Sequence, residues 1–391
     1  MLKTIKEIDT KNKRVLVRVD FNVPLDSAGH VDPAEDWRIK NTLPTIEYLQ
    51  KQGAKIILIA HFGRPKGERD LKFSVKPLSD YLSKILKVSI IFVDDFTNET
   101  GRKLIADLPA GQIAFLENIR FYPGEEVNDL EFTRQLASLG DIYVNDAFSN
   151  SHREHASIVG LPKILPAAAG LLLAHEVGVL SGILKNPKKP LAVIIGGVKI
   201  SSKLKFIRKF LEVADNVVLG GALANTVLSA MGLAIGRSII ESSVIDELRA
   251  LNLTDPKLHL PVDAVVAVEP KSDVPIRIVA IGNTRPEEMI LDIGPDTQSL
   301  FGDIIMRAGS VVWAGPMGLC EIPAFSQGMK KIGEAMAKTA AFTIVGGGDT
   351  VGFMSKQGLL DRIDYVSTGG SAMLDFLASG NLPGLKVLGY S

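Results

Sequence analysis

Three glycines, an acid and a hydroxyl follow an apolar run late in the chain. Residues 342–345 lead into residues 346–350, of sequence Gly-Gly-Gly-Asp-Thr. Glycine lets the main chain approach an anion closely, and the N–H groups at a helix start favour negative charge. A carboxylate beside phosphate needs a divalent cation between them, which makes Asp349 a candidate Mg²⁺ ligand. A tight turn into a helix capped by Asp349 or Thr350 is the alternative, and both interpretations stay open here.

Lysines follow a second glycine-rich strand end. Residues 191–195 lead into Gly-Gly-Val, and Lys199 and Lys203 come next. If a helix begins near Lys199, the two amines lie one turn apart and repel each other unless an anion lies between them. Gly221 and Gly315 follow two further apolar runs. The pattern favours a polyphosphate or nucleotide. Two solvated surface lysines are the alternative, which suits Lys203 better than Lys199.

Arginines and other polar residues follow the apolar runs of the first half of the chain. Because ligands bind beyond the carboxyl ends of parallel strands, these residues are expected at one edge of a sheet. Guanidinium groups hold phosphate or carboxylate with paired hydrogen bonds, so the set predicts a small polyanionic ligand. A surface salt bridge is the alternative for any single arginine. The residues are Asp20, Phe21, Asn22, Arg38, His61, Phe62, Gly63, Arg64, Arg120 and Arg153.

Three neighbouring features have ordinary explanations. Arg18 lies within an apolar alternation, and pairing with Asp20 or another carboxylate ranks above direct substrate contact. The spacing of His152 and His155 matches no zinc pattern, and no cysteines support one. Phenylalanines interleave with the basic residues as in a groove for single-stranded nucleic acid. Because the net charge is zero, core packing explains them better.

Balanced charge and a single cysteine narrow the class of protein. Among 391 residues, Lys plus Arg and Asp plus Glu both number 44, so no global field attracts nucleic acid or an anionic membrane. The one cysteine, Cys320, fits a reducing compartment. Residues 164–184 are strongly apolar, but Pro, Gly, His and Glu interrupt them, which indicates a buried helix and no membrane span. Since no apolar secretion signal opens the chain, we expect a cytoplasmic protein.

Short runs rich in Val, Ile and Leu alternate with amphipathic segments of helical length. This alternation predicts an α/β protein with two doubly wound, Rossmann-like parallel-sheet domains. Between the two sets of runs, residues 167–185 are interpreted as one linking helix. The predicted strands are residues 15–19, 56–60, 90–93, 113–116, 142–144, 191–195, 217–219, 264–268, 311–313, 342–345 and 365–366.

Two general nucleotide motifs are absent from the sequence. Gly346 and Gly348 begin a G-x-G-x-x-G pattern, but residue 351 is Val and no suitable acid follows a first βα unit, which disfavours a dinucleotide. Lys199 does not belong to a P-loop, because residue 198, where that motif has Gly, is Val. The nucleotide hypothesis therefore depends on strand-end glycines, paired lysines and residues 346–350.

Taken together, these stretches resemble the phosphoglycerate kinase family almost from end to end. Coincidence is implausible, because many motifs match in one order. They are Arg18-Val19-Asp20-Phe21-Asn22-Val23-Pro24, His61-Phe62-Gly63-Arg64-Pro65, Glu117-Asn118-Ile119-Arg120-Phe121, Asn145-Asp146-Ala147-Phe148 with His152-Arg153, Gly196-Gly197-Val198-Lys199, Asp292-Ile293-Gly294-Pro295, Gly315-Pro316-Met317-Gly318, Gly346-Gly347-Gly348-Asp349-Thr350 and Ser367-Thr368-Gly369-Gly370.

The resemblance implies an arrangement of domains and a reaction. It implies a triose-acid-binding lobe of residues 1–169 completed by a C-terminal tail from about residue 372 to 391, an interdomain helix at residues 170–185, and a nucleotide-binding lobe of residues 186–371. It also implies a monomer. The implied reaction is reversible phosphoryl transfer between 1,3-bisphosphoglycerate and ADP, giving 3-phosphoglycerate and ATP, by direct transfer after the lobes close.

The resemblance further implies roles for individual residues. No nucleophilic side chain is required, because the attacking groups are already anions at neutral pH. Mg²⁺ would accompany ATP or ADP, with Asp349 as its ligand. The triose acid would contact Asp20, Phe21, Asn22, Arg38, His61, Phe62, Gly63, Arg64, Arg120 and Arg153. The nucleotide would contact Lys199, Lys203, Gly221, Glu321, Gly347, Gly348, Asp349 and Thr350. The transferred phosphoryl group would be stabilised by Arg38, Lys199, Gly369 and Gly370.

Several residues depart from the family pattern. Ala314 stands where the family commonly has Asn, Cys320 where it commonly has Phe, and Val198 where a smaller residue is usual. Ser149-Asn150-Ser151 also differs from the usual turn. These departures bear on nucleotide affinity and preference more than on the reaction.

Two rival hypotheses remain from other functional classes. A nicotinamide-dependent dehydrogenase on two α/β lobes lacks its glycine fingerprint here. A non-catalytic protein that closes on a phosphorylated metabolite is the second rival. The combination of Arg38, Lys199 and Asp349 favours an enzyme, since simple binding does not need a metal carboxylate opposite an arginine cluster.

Overall fold

Two compact units make up the chain. The computed structural model describes residues 2–33 and 35–391, so Met1 and Ala34 of the predicted first lobe lie outside the described residues. The first unit comprises Met1–Val179 and Ser379–Ser391, and the second comprises Leu180–Ala378. The division falls inside a helix at Leu171–Lys185. The lobe limits implied by the sequence stay a prediction.

The first unit is built on a parallel sheet of six strands. The strands lie in the order β3-β4-β2-β1-β5-β6 when numbered β1 (Arg14–Arg18), β2 (Lys55–Ile59), β3 (Ile90–Val93), β4 (Ile113–Leu116), β5 (Ile142–Asn145) and β6 (Ala167–Ala169). The helices that follow them are α1 (Trp37–Lys51), α2 (Lys76–Leu86), α3 (Glu99–Ala106), α4 (Leu130–Ala137) and α5 (Leu171–Lys185).

Both faces of this sheet are buried, which explains the continuous apolar sequence of its strands. In β1, Val15 and Val17 belong to one buried cluster together with Ile46 of α1. Leu16, between them, belongs to a second cluster together with Leu136 of α4. Successive side chains of a strand point to opposite faces, so helices on both faces require an apolar residue at every position.

The second unit contains a parallel sheet of six strands and a smaller antiparallel one. The parallel sheet has the order β15-β14-β13-β7-β8-β9, with β7 (Leu191–Ile195), β8 (Asn216–Leu219), β9 (Leu258–His259), β13 (Ser310–Ala314), β14 (Phe342–Gly346) and β15 (Tyr365–Ser367). The antiparallel sheet has the order β11-β10-β12, with β10 (Asp263–Ala267), β11 (Arg277–Ala280) and β12 (Met289–Ile293).

Further helices of the second unit follow in chain order, and a short helix near the C-terminus belongs to the first unit. Those of the second unit are α6 (Leu204–Val213), α7 (Gly221–Ala230), α8 (Ile245–Arg249), α9 (Pro295–Arg307), α10 (Gln327–Lys338), α11 (Gly348–Lys356) and α12 (Gly370–Ser379). The short helix is α13 (Pro383–Lys386). The N–H of Gly384 in α13 donates to the carbonyl of Ser151 at 2.8 Å, within the first unit. None of the helices in the described residues is both long and apolar enough to cross a membrane.

The predicted fold class is confirmed, with three local corrections. Residues 167–169 form the strand β6, whereas the sequence predicted helix there. Residues 264–268 were assigned to a parallel sheet, but β10 pairs with β11 and β12 in antiparallel fashion. The helix expected near Lys199 begins at Leu204, after a short 3₁₀ turn at Ser201–Lys203.

Candidate active site

The first predicted anion-binding edge lies where the chain reverses its direction of winding. From β1 the chain passes to its neighbour β2, then to β3 at the edge of the sheet, and back to β4 between β2 and β3. It then crosses to β5 on the other side of β1. Loops that leave the carboxyl ends of neighbouring strands diverge at such a switch point and form a crevice. The residues after β1, β2, β4 and β5 are the predicted triose-acid residues, and they lie along this edge.

Arg38 is oriented by the loop that follows β1. Its Nη1 donates to Oδ2 of Asp20 at 3.0 Å and to the carbonyl of Asn22 at 3.2 Å. Ser149 donates to the same Asp20 oxygen at 2.5 Å. The side-chain oxygen of Asn22 accepts from the N–H of Gly63 at 3.0 Å, which ties this loop to the one after β2. Asp20 therefore holds the guanidinium in place.

Arg120 carries unsatisfied donors in a buried position. Its Nη1 donates to the carbonyl of Gly63 at 2.9 Å, and its Nε lies 3.1 Å from Oε1 of Glu126. Its buried Nη2 has no hydrogen-bond partner among the described residues. Burial, followed by the neighbouring Arg18 and Arg153, lowers the pKa of Arg120 to about 10. A buried guanidinium with a free donor and cationic neighbours is suited to receive an anion.

Histidines among these arginines are held neutral. Burial and the charge of Arg18 set the pKa of His61 well below its usual value, with further contributions from Arg120, Arg153 and Arg38. Burial and Arg153 lower the pKa of His152 to about 4. Burial, Arg120 and Arg153 lower that of His155 to about 3. These mutual effects place Arg18, Arg38, Arg120 and Arg153 in one electrostatic cluster.

Arg18 has different partners from those expected. Its Nε donates to Oγ of Ser157 at 2.9 Å, a short contact joins it to the carbonyl of Val19, and its Nη2 lies 3.2 Å from Nδ1 of His61. The expected pairing with Asp20 is wrong, because Asp20 is bonded to Arg38. Arg18 is completely buried and lies behind the site.

Two predicted substrate residues contribute mainly to packing. The ring of Phe21 is fully buried and lies edge-on to Phe115, with 5.9 Å between centroids. Phe62 packs against the same core cluster. The ring of Phe21 belongs to the core, so any ligand contact of that residue comes from its main chain, whereas the ring of Phe62 is only partly buried. Arg64, by contrast, is exposed.

The second predicted anion-binding edge lies at the switch point between β7 and β13, and glycines line it. The N–H of Gly197 donates to the carbonyl of Pro316 at 2.8 Å, and that of Gly221 donates to the carbonyl of Met317 at 3.0 Å. A Cβ on Gly196 would lie 2.1 Å from the Pro316 oxygen. Only glycine allows the two strand-end loops to approach this closely.

The run at residues 346–350 opens a helix, as expected, but with a different cap. Gly347, at φ 102°, is the N-cap of α11, and no side chain caps this end, so the predicted cap by Asp349 or Thr350 is wrong. Thr350 instead accepts from the N–H of Gly315 at 2.9 Å. Gly348 and Asp349 are exposed in the first turn. The helix start therefore presents N–H groups and one carboxylate together.

The two predicted lysines do not share a helical face. Lys203 ends the 3₁₀ turn, and its Nζ donates to the carbonyl of Gly196 at 2.5 Å. Burial lowers its pKa, and Asp349 opposes that effect. Lys199 precedes the turn and is exposed, as is Glu321. Lys203 is thus fixed at the glycine edge, and Lys199 is free to extend into solvent.

Gly369 and Gly370 bring a second helix start to the same edge. The helix α12 begins at Gly370. A Cβ on Gly370 would lie 2.5 Å from the Cα of Gly347. The starts of α11 and α12 are therefore in close main-chain contact.

An apolar cavity of about 290 Å³ adjoins the glycine edge. Gly197 and Gly221 line its wall, and Ile239, Pro261 and Met289 come from segments that carry no motif. Sequence reasoning missed these three residues, since only their position around the antiparallel sheet links them to the site. Sequence reasoning also missed Glu125 and Ser157 in the first unit, because Glu125 lies in a polar, turn-like stretch and Ser157 is a single hydroxyl within an apolar run.

Comparisons with known proteins agree over the whole chain. The phosphoglycerate kinase family model matches residues 5–380. The chain is 43% identical over 390 residues to a phosphoglycerate kinase of Pelotomaculum thermopropionicum, covering 99% of this chain and 98% of that protein. It is similar to the solved phosphoglycerate kinase of Coxiella burnetii, with TM-score 0.84, 37% identity and coverage of 100% and 99% of the two chains. For the enzyme of Pyrococcus horikoshii the TM-score is 0.87, the identity 30% and the coverage 99% and 98%.

Proposed function

We propose, from the premise that this chain belongs to the phosphoglycerate kinase family, that its first unit binds the triose acid and its second unit the nucleotide. The chain is an ATP-dependent phosphotransferase of glycolysis, which transfers a phosphoryl group reversibly between 1,3-bisphosphoglycerate and ADP. Family membership argues against both rivals, the dehydrogenase and the non-catalytic binding protein.

The observation that carries the assignment of the triose acid is the cluster of buried guanidinium groups in the first unit. Arg120 has an unsatisfied buried donor, and Arg38 is fixed by Asp20. A small acid with a phosphate and a carboxylate supplies the acceptors that such a cluster lacks. We assign Asn22, Arg38, His61, Gly63, Arg64, Arg120 and Arg153 to this ligand, with Asp20 as the holder of Arg38 and with main-chain contacts from Phe21 and Phe62.

The nucleotide is assigned to the glycine edge of the second unit. The apolar cavity suits a planar base, and the helix start at Gly348 suits the phosphates. Lys203 lies at the same edge. We assign Gly221, Glu321, Gly347, Gly348, Asp349 and Thr350 to this ligand together with Lys199 and Lys203.

Mg²⁺ is proposed as the ion that accompanies the nucleotide. In the part of the chain that the structure describes, no group of three or more His, Cys, Asp or Glu could hold a metal by itself. Asp349 is an exposed carboxylate beside the proposed phosphate cradle, which fits an ion held by one or two carboxylates plus substrate phosphates. When bound, the ion would neutralise phosphate charge.

Asp349→Asn tests this assignment. Loss of one carboxylate ligand is expected to raise the Mg²⁺ concentration needed for half-maximal turnover about tenfold or more. The Michaelis constant for 3-phosphoglycerate should not change. An unaltered Mg²⁺ requirement would remove Asp349 from the proposed metal site.

The chemistry requires charge stabilisation and no covalent intermediate on the protein. Carboxylate and phosphate oxygens are already anionic nucleophiles, so no general base is needed. We propose that Arg38 and Lys199 neutralise charge on the transferred phosphoryl group, and that the N–H groups near Gly369 and Gly370 add to this effect.

The two sets of residues belong to different units, so transfer requires the units to bring their ligands together. We therefore propose closure, which also excludes water from the hydrolysable acyl phosphate. Small-angle scattering with both ligands should differ from that of the free protein. Superimposable profiles would contradict closure. A monomer in the cytoplasm is proposed as the working form.

A coupled assay tests the function as a whole. Turnover should require both ATP and 3-phosphoglycerate, and it should release ADP in equal amounts to the acyl phosphate formed. The proposal would be contradicted if ATP were consumed without 3-phosphoglycerate, or if no ATP were consumed when 3-phosphoglycerate is present.

A further inference from the structure

A chain of hydrogen bonds runs behind the arginine cluster of the first unit. Oε1 of Glu125 accepts from Oγ of Ser157 at 2.6 Å, and Oγ of Ser157 accepts from Nε of Arg18 at 2.9 Å. Nη2 of Arg18 then lies 3.2 Å from Nδ1 of His61. Glu125, Ser157 and Arg18 are completely buried. We call these four residues the buried relay.

A rare backbone form presents Ser157 to the relay. Ala156–Gly160 is a π-helical turn. The N–H of Ala156 donates to the carbonyl of Glu125, and the N–H of Ser157 donates to Oε2 of Glu125, both at 2.9 Å. The main-chain N–H and the hydroxyl of Ser157 therefore hold the two oxygens of the Glu125 carboxylate. π-helical turns recur at functional sites, and this one directly follows His155.

The chemistry of the guanidinium group determines which nitrogen of His61 carries the proton. Arginine only donates hydrogen bonds. Nδ1 of His61, which faces Nη2 of Arg18, must therefore be the unprotonated acceptor. In a neutral imidazole the proton then lies on Nε2.

The charges around His61 agree with a neutral ring. The groups that act on it are Arg18, Arg120, Arg153 and Arg38, and they lower its pKa in the same direction as burial does. An imidazolium would add a further positive charge to four guanidinium groups. The neutral ring instead offers a single N–H donor to an anionic ligand.

The acidic end of the relay stabilises Arg18 in its orientation. Burial lowers the pKa of Arg18, whereas Glu125 and Asp20 act in the opposite sense. A buried cation is costly unless it is paired and hydrogen-bonded. Ser157 fixes Nε, which sets the plane of the guanidinium and hence the direction of Nη2. Glu125 also lies 3.7 Å from Nδ1 of His155, so its charge acts on a second histidine of the cluster.

We propose that Glu125 and Ser157 are positioning residues that act through Arg18 to hold His61 as the neutral Nε2–H tautomer, so that His61 serves the triose acid as a hydrogen-bond donor. This inference rests on the proposed function, because it assumes that His61 contacts the triose acid. The hydrogen bonds of the relay diverge from Arg18, which donates through Ser157 toward the carboxylate of Glu125 on one side and to His61 on the other.

Nitrogen-15 NMR of the free wild-type protein tests the tautomer without any substrate. With ¹⁵N-labelled histidine, the His61 ring is assigned by its loss in His61→Gln and by its contacts with Arg18. At pH 7, Nδ1 should resonate as an unprotonated nitrogen and Nε2 as a protonated one. A protonated Nδ1, alone or together with Nε2, would overturn the proposal.

Two variants test the relay, and a third is the control. Ser157→Ala removes the link, and Glu125→Gln removes the charge with little change of shape. Both should shift the His61 ring resonances and raise the Michaelis constant for 3-phosphoglycerate about tenfold, with that for ATP unchanged. Ser79→Ala, which removes another buried hydroxyl from the first unit, should change neither.

The outcomes separate the relay from the proposed function. His61 resonances that stay unchanged in folded Ser157→Ala would overturn the relay, even if the enzyme is a phosphoglycerate kinase. The expected tautomer combined with an unaltered Michaelis constant for 3-phosphoglycerate in His61→Gln would instead overturn the premise that His61 contacts the triose acid. If neither relay variant folds, the wild-type spectrum alone decides the tautomer.

Discussion

The two anion-binding edges differ in what the protein contributes to each. In the first unit, side chains define the edge: Arg38 is bonded to Asp20, and Arg120 is buried beside Gly63. In the second unit, main chain defines it, because glycines at the strand ends and helix starts are packed against one another. The contrast indicates two ways in which the proposed anion sites are built on similar parallel sheets.

The physical reason lies in the size and charge of the ligands. Buried cations gain most from a ligand that reaches all of them at once, which suits a small acid with charges at both ends. An extended nucleotide contacts a longer surface, and N–H groups of the main chain can serve its phosphates without a net charge in the empty site. Exposed Lys199 supplies mobile charge there.

Removal of a charge from either edge should give the largest effect. Arg38→Ala and Lys199→Ala should each lower kcat about 10²-fold or more, the scale of losing a transition-state charge partner. Steady-state assays with both substrates saturating measure this. Arg134→Ala and Lys338→Ala, at exposed positions on α4 and α10, are the matched controls and should keep full turnover. Near-normal kcat in both site variants would refute the catalytic assignments.

A methyl group at the main-chain edge should disturb one substrate only. In Gly370→Ala the new Cβ meets the Cα of Gly347 at 2.5 Å, so the two helix starts must separate. We expect kcat/KM for ATP to fall by about 10-fold to 100-fold, since displacements of this scale misplace reacting groups. The Michaelis constant for 3-phosphoglycerate should not change.

Gly352→Ala provides the control for this substitution. Gly352 lies on α11 with open space around its Cβ position. The variant should bind ATP normally and gain slight stability from better helix propensity. If both glycine variants behave alike, close main-chain packing does not define the second edge.

Acid should weaken the first unit through its buried histidines. The pKa of His152 is about 4 in the folded protein, so between its unfolded value of 6.5 and about 4 only the unfolded state binds the proton. Stability should therefore fall as the pH drops through this window. Urea unfolding of wild type and His152→Gln at pH 6.5 and 4.5 measures this. Between these pH values, the free energy of unfolding should fall by about 1–2 kcal/mol more in the wild type than in the variant. Equal losses would place His152 outside the desolvated cluster.

The smallest effect is expected at a helix position remote from either edge. Gly178 is exposed on α5, and a Cβ there would meet no atom within 4 Å. Gly178→Ala should raise the free energy of unfolding by roughly 0.5–1 kcal/mol through helix propensity. Both Michaelis constants should stay at wild-type values. A lower free energy of unfolding in this variant would contradict the open surroundings of Gly178.

Much of the fold could be predicted because its parallel strands are buried on both faces. Strands such as β4 and β7 have continuous apolar sequences that are followed by a polar residue or glycine. The strand β6 could not be found this way, since Ala167–Ala169 has low strand propensity and takes its place by pairing with β5. The antiparallel pairing of β10 with β11 and β12 was also missed, because one apolar run does not reveal which strands pair with it.

For the site, residue types were predictable and their partners were not. Arginines after strand ends indicated an anion site, because strand ends of a parallel sheet share one edge. The sequence did not reveal that Asp20 pairs with Arg38. Nor did it reveal that Arg18 donates to Ser157, 139 positions later in the chain. Such choices depend on the relative placement of loops, which no local pattern encodes.

The return of the chain's end to the first unit has a consequence for synthesis. Leu382 and Leu385 are buried there, and Gly384 bonds to Ser151 in the loop before His152. Residues 379–391 are synthesised after the whole of the second unit, so the first unit stays incomplete while the contiguous second unit emerges and can fold. Completion of the arginine-bearing unit therefore comes after the second unit has been made, and a chain cut before residue 379 would keep a complete second unit beside an incomplete first one.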